Sequence, residues 1–155
     1  MTSTTVVLHN IRSTHNVGAI FRTAEAAGVS KVILTGYTPT PIDRFDRVRK
    51  DIAKASLGAE HMLEWEHYKT LEAAVNALRA DGFTIVGVEQ DKKAVPYTKY
   101  TPTEKVAIVF GNEVRGLSPK ARALCDTLIE IPMHGRKESL NVSVAAGIVL
   151  FRLMG

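Results

Sequence analysis

Along almost its whole length the chain alternates short apolar, β-branched runs with stretches whose apolar residues recur every three or four positions. That alternation restricts it to few architectures. Thr5-Val6-Val7-Leu8 reads as a strand, and residues 17–27 follow as a helix on Val17, Ile20, Phe21 and Ala24, closed by Gly28. Residues 31–35 read as a second strand ended by Gly36, and 36–44, with Pro39 and Pro41, as a loop. A basic helix is predicted over 47–55 and a weaker strand over 62–65. Leu71, Ala74, Val75 and Leu78 predict a helix over 70–80. Residues 83–88 and 105–110 are apolar and strand-like, and Ser118-Pro119 starts a helix with a serine cap and proline at the first helical position. A last strand over 128–131 stops at Pro132, and 139–154 closes the chain as a helix. The pattern implies an α/β fold, a mainly parallel sheet with helices on both faces. At 155 residues, with no repeat, linker or low-complexity stretch, a single domain over 1–155 is expected.

The final helix carries a second constraint. From Leu140 to Met154 only Asn141, Ser143 and Arg152 are strongly polar. A helix without a polar face is buried on every side, which a chain this small can hardly arrange alone. Part of this helix is therefore expected in a subunit interface, a central core helix being the alternative. Its apolar run, 142–151, is too short to span a bilayer. The single Cys125 allows no intramolecular disulfide, and the first residues show no basic stretch of a secretory signal, so a cytoplasmic protein is expected. The net charge of +4 permits a polyanionic partner without requiring one.

Several chemistries are disfavoured. No G-x-G-x-x-G follows the first strand and no G-x-x-x-x-G-K-[ST] occurs, which argues against dinucleotide dehydrogenases, P-loop NTPases and methyltransferases with a glycine-rich first loop. His9, His15, His61, His67 and His134 lack metal-ligand spacing, so no metal is expected. Cys125 has no evident histidine partner and reads as a structural thiol.

Three segments are not fully explained by local structure. In the first, Arg22 lies off the apolar stripe of its helix; it is either a solvated partner of Glu25 or functional, and Asn16 is either an N-cap or functional. The second, Phe110 to Ser118, puts two glycines, Glu113 and Arg115 at the C-terminal end of a strand, where parallel sheets bind ligands. The alternative is a polar connecting loop. The third, Ile131 to Asn141, is a charged turn that enters the apolar helix, with Ser139 and Asn141 predicted in its first turn. Asn141 there is a costly choice if buried without a partner.

Together these segments resemble the three signature motifs of the SpoU/TrmH family of the SPOUT superfamily of RNA methyltransferases. The first looks like Asn16-Val17-Gly18-Ala19-Ile20-Phe21-Arg22-Thr23-Ala24, and the second like Phe110-Gly111-Asn112-Glu113 through Arg115-Gly116-Leu117-Ser118. The third looks like Ile131-Pro132-Met133, then Ser139-Leu140-Asn141-Val142-Ser143-Val144-Ala145. The match covers nearly the whole chain. The resemblance implies a C-terminal trefoil knot, a homodimer through the C-terminal helix region, and S-adenosylmethionine as cofactor. It implies cofactor contacts from Val88, Glu89, Gly111, Ile131, Met133, Ser139 and Leu140. The implied reaction is methyl transfer to a ribose 2′-hydroxyl of structured RNA, tRNA favoured over rRNA. Arg22 would stand nearest the departing proton, supported by Asn16, Glu113, Ser139 and Asn141. A guanidinium stays protonated, so either an RNA phosphate assists Arg22 in taking the proton, or Arg22 orients the phosphate and stabilises the developing alkoxide.

Arg12, Arg44, Arg47, Arg49, Arg115 and Arg136 are expected to contact RNA, with Phe45 available to stack a base. Many relatives carry an added RNA-binding domain; here recognition is expected to use the catalytic domain and its dimer mate. Two other readings compete: a non-catalytic RNA-binding module that retains the fold, and a small-molecule-binding domain without RNA.

Overall fold

The computed structural model describes residues 2–155. Seven strands form one all-parallel sheet, β1 (Ser3–His9), β2 (Lys31–Thr35), β3 (Glu64–Tyr68), β4 (Thr84–Val88), β5 (Val95–Pro96), β6 (Lys105–Phe110) and β7 (Thr127–Glu130). Their spatial order is β3-β2-β1-β6-β4-β7-β5. The helices are α1 (Thr14–Ala27), α2 (Lys50–Ser56), α3 (Leu71–Ala80), α4 (Pro119–Ala123) and α5 (Val142–Met154).

Period-two alternation divides the core between the two faces of the sheet. Val6, Leu8, Val32, Leu34, Val86, Val106, Ile108 and Phe110 meet Val17, Ile20 and Phe21 of α1, Ile52 of α2, and Ala146, Val149 and Leu150 of α5. Val7, Ile33, Ile85, Ala107 and Val109 face the other way, onto Leu71, Ala74, Val75 and Leu78 of α3 and Ala121 of α4. Helices thus cover both faces, as the alternation predicts. Gly18 lets α2 approach α1: a Cβ there would stand 2.5 Å from the Ile52 carbonyl oxygen and 2.7 Å from Ala55 Cβ.

Three expectations need correction. Residues 47–49 are not helical; α2 begins at Lys50 with Arg49 at its N-cap. The Asp43 carboxylate accepts from the backbone N–H of Phe45 and Arg47, and Ile42 bridges Val48, so local loop bonds compete with helix there. The weak strand lies at Glu64–Tyr68, and Val95–Pro96 adds a short edge strand that no periodicity marked. The last helix starts at Val142, so Ser139 lies outside it and Asn141 is its N-cap, not a buried first-turn residue. Among the described residues no helix is long and apolar enough to cross a membrane.

Candidate active site

The C-terminal ends of β4, β6 and β7 lie side by side, and the loops leaving them are laced together. A Cβ at Gly111 would stand 2.6 Å from the Gly116 carbonyl carbon, so the β6 loop closes on itself only with glycine there. At Gly116 (φ +63°) a side chain would collide with the Glu89 carboxylate. Glu89 instead accepts from the Leu117 N–H at 2.7 Å and the Gln90 N–H at 3.1 Å, tying the β4 loop to the β6 loop. Gln90 Nε2 donates to the Glu138 carbonyl at 2.6 Å and draws in the loop after β7.

These three loops and the start of α5 enclose one cleft of about 180 Å³. Val88, Glu89, Gly111, Ile131, Met133, Ser139 and Leu140 all line it, joined by Glu113, Arg115, Glu130, Val142 and Ala145. Such a volume is below the roughly 300–1,000 Å³ that encloses a drug-sized ligand, so a ligand of that size would extend beyond its walls.

At the rim stands a polar network. Ser13 caps α1, accepting from the Asn16 N–H at 3.1 Å, which removes the N-cap alternative for Asn16. The Asn16 side chain is buried and donates to Glu113 at 3.1 Å, and Glu113 also accepts from the backbone N–H of Arg12 at 3.0 Å and of Ser13 at 2.9 Å. A carboxylate 100 residues away thus ties down the two residues that lead into α1 and one side chain of its first turn. Burial opposes ionisation of Glu113, and those three donors outweigh it, so its carboxyl sits below the ordinary value. Asn141 Nδ2 reaches Asn16 Oδ1 at 3.3 Å, while Asn141 Oδ1 accepts from the Ser143 N–H at 2.8 Å. Asn16, Glu113 and Asn141, distant in sequence, meet at one point.

Arg22 does not join them within one chain. Six residues beyond Asn16, its side chain is turned about 120° from that of Asn16 and displaced about 9 Å along the helix. It is exposed, and among the described residues it makes no hydrogen bond or ion pair, so the Glu25 pairing is absent. The expected RNA contacts divide as well. Arg12 lies with its guanidinium carbon 5.9 Å from the Tyr37 ring centroid, and Arg44 and Arg47 both lie 4.9 Å from that of Phe45. Arg47 is also paired with Asp43 at 3.2 Å, and Arg49 is partly buried, its Nε without a hydrogen bond among the described residues. Arg115 and Arg136 are exposed, Arg115 on the cleft. Residues that periodicity did not single out include Ser13, whose position before a helical stripe was a legible cap, and Tyr37, whose placement rests on non-local bonds.

The SpoU rRNA Methylase family profile matches residues 3–151. A 23S rRNA (guanosine-2′-O-)-methyltransferase of Acinetobacter baylyi is 36% identical over 147 residues, covering 94% of this chain and 57% of that protein. An AdoMet-bound rRNA methyltransferase of Sinorhizobium meliloti has TM-score 0.87 at 31% identity, covering 97% of this chain and 55% of that one. A TrmH/SpoU tRNA modifying enzyme of A. aeolicus has TM-score 0.85 at 28% identity, covering 99% and 75%. The chain spans less than two thirds of the length of the curated relatives it matches first, 58% and 57%.

Proposed function

We propose, on the premise that this chain belongs to the SpoU rRNA Methylase family, that it transfers a methyl group from S-adenosylmethionine to a ribose 2′-hydroxyl of structured RNA. The observation that carries this reading is the meeting of Asn16, Glu113 and Asn141 beside a cleft built by three strand-end loops. The cleft fits the cofactor chemically. Val88, Ile131, Leu140, Val142 and Ala145 offer apolar walls for a base, and Glu89 and Glu130 add carboxylates. Val88, Glu89, Gly111, Ile131, Met133, Ser139 and Leu140 are the residues that would hold it. Bound there, it would supply an electrophilic methyl group on a cationic sulfur.

The chain's own residues must orient the ribose oxygen and deal with its proton. Glu113 holds Asn16, and Asn141 holds Asn16 from the other side, so the amides present fixed polar atoms at the rim. A guanidinium remains protonated, so Arg22 is assigned to orient an RNA phosphate, whose oxygen takes the 2′-hydroxyl proton and passes it to solvent, and to stabilise negative charge growing on the 2′-oxygen as the methyl group leaves the sulfur. It is assigned to do so across a homodimer. Val144, Ile148 and Phe151 form an i, i+4, i+7 stripe on α5, with Val144 50% and Phe151 55% exposed. Gly147 of α5 packs beside Thr23, the residue after Arg22, so an interface on that stripe adjoins Arg22. The C-terminal knot and a cytoplasmic location belong to the same reading. The knot is supported by α5 packing on α1 although β7, which precedes it, lies beyond β6 and β4 in the sheet. Of RNA partners, tRNA is favoured and rRNA is the competitor.

The test is methyl transfer from labelled S-adenosylmethionine to tRNA and to rRNA from cells lacking the protein. A 2′-O-methyl blocks the hydroxyl that alkali uses to cleave the chain, so label is expected in alkali-stable dinucleotides. Label in mononucleotides would mean base methylation, and the absence of both cofactor binding and transfer would leave a non-catalytic RNA-binding module. Arg22→Ala should lower transfer at least a hundredfold with unchanged cofactor affinity by calorimetry; near-normal turnover would remove Arg22 from the mechanism.

A further inference from the structure

We propose that Tyr37 is a stacking platform for an unpaired RNA base next to the nucleotide at the active site, a proposal that rests on the RNA-methyltransferase reading. Three special features converge on this one ring. Asn10 holds a left-handed backbone, φ 55°, one of three such non-glycine residues among those described. Gly36 (φ 64°) has no room for a side chain, because Asn10 Oδ1 occupies the place of its Cβ. That same Oδ1 accepts the Tyr37 N–H at 3.2 Å. Asn112 Nδ2 then donates to the Asn10 carbonyl and to the Tyr37 hydroxyl, each at 3.0 Å, while its Oδ1 accepts from the N–H groups of Val114 and Arg115 in the β6 loop.

The ring so fixed is 57% exposed and belongs to neither half of the core. An aromatic ring ordinarily repays its placement through burial; this one is anchored at its amide and its hydroxyl and left open. A left-handed turn and side-chain bonds gathered round a ring that contributes little packing are a feature of binding sites. The Arg12 guanidinium lies over the ring, and the Arg12 N–H is bonded to Glu113, so the platform is one residue from the Asn16–Glu113–Asn141 network.

An RNA base fits this surface better than a protein side chain does. A protein anchor seats in an apolar pocket, whereas Tyr37 carries Arg12 over its ring and the exposed Phe45 carries Arg44 and Arg47, with Arg115 on the cleft. Aromatic and guanidinium planes beside cationic side chains recognise splayed bases in single-stranded loops. Within a duplex both faces of a base are already stacked, so the platform discriminates in favour of unpaired RNA at the site.

The test measures binding of a fluorescein-labelled 12-nucleotide single-stranded RNA, and of the blunt duplex it forms with its complement, by anisotropy over a salt series. Tyr37→Ala is expected to bind the single strand about ten- to a hundredfold more weakly, with duplex affinity and the salt slope unchanged. Tyr37→Trp, which keeps a ring and loses the hydroxyl, should restore binding to within about threefold. Arg12→Ala should instead reduce the salt slope by about one on both RNAs. Equal binding of the single strand by Tyr37→Ala and the unaltered chain, or equal loss on both RNAs, overturns the platform. If the unaltered chain methylates RNA in that case, the catalytic reading stands without it. If the unaltered chain neither binds nor methylates RNA, the reading fails and the platform with it.

Discussion

Glu113 is held ionised by the groups it organises. Burial alone would raise its carboxyl, and the N–H groups of Arg12 and Ser13 with the Asn16 amide bring it below the ordinary glutamate value. The sign for stability follows from linkage. A depressed folded value means stabilisation that is fully present above the unfolded pKa and is lost as pH falls through the folded one. Glu113→Gln replaces one acceptor with a donor facing N–H groups and should cost about 2 kcal/mol at pH 7, or roughly 4–8 °C in Tm. Thermal melts of both proteins from pH 7 to pH 3 should show that gap narrowing below pH 4.5; a gap constant with pH would mean the charge of Glu113 contributes nothing. Cys125 behaves oppositely. Burial, with Asp126 adding to it, pushes its thiol up to about 11, so alkylation by iodoacetamide at pH 8 should be far slower in the folded protein than in urea. The second motif marked Glu113 as functional, but nothing local could tell that its carboxylate holds the segment leading into a helix 100 residues earlier. The same holds for Tyr37, whose anchors Asn10 and Asn112 come from two other strand ends.

Among the elements, those with a strong internal period were legible and those set by neighbours were not. The i, i+3, i+4, i+7 pattern of Leu71, Ala74, Val75 and Leu78 marked α3 nearly to the residue, and the serine–proline pair at Ser118 marked the start of α4 but not its end at Ala123. Val95–Pro96 is a strand only because β7 lies beside it. The start of α2 shifted because the Asp43 side chain ties residues 43–47 into a loop that local propensity cannot weigh. At α5 the polar residues that looked expensive inside an apolar helix turn out to stand at its entrance. Asn141 satisfies the Ser143 N–H and also touches Asn16, so one side chain begins the helix and completes the rim network. Asn141→Ala should therefore lower stability by about 1 kcal/mol as a lost cap, about 2–4 °C in Tm, and lower methyl transfer far more than that shift explains. Asn141→Ser, which can cap but is too short to reach Asn16, should recover the Tm without the activity. Recovery of both would reduce Asn141 to a cap.

At the scale of the whole molecule the constraint is geometric, since Arg22 turns away from the Asn16–Glu113–Asn141 network of its own chain while the proposed chemistry needs them together. The apolar stripe Val144–Ile148–Phe151, already half exposed and running beside α1, offers the resolution: two copies related by a twofold axis would cover it mutually. Sedimentation should then give twice the chain mass, and Val144→Glu with Phe151→Glu should give a folded monomer without transfer activity. A sharper consequence concerns ownership of the active site. If each site takes Arg22 from one copy and Asn141 from the other, Arg22→Ala and Asn141→Ala chains are each inactive alone but restore one intact site when paired. In an equimolar mixture refolded together about half of the dimers are mixed, by random pairing of a twofold assembly. With one of two sites intact in those, activity should return to about a quarter of the unaltered level. If a site draws both residues from the same chain, every site in the mixture lacks one of them, and the mixture stays as inactive as its parts.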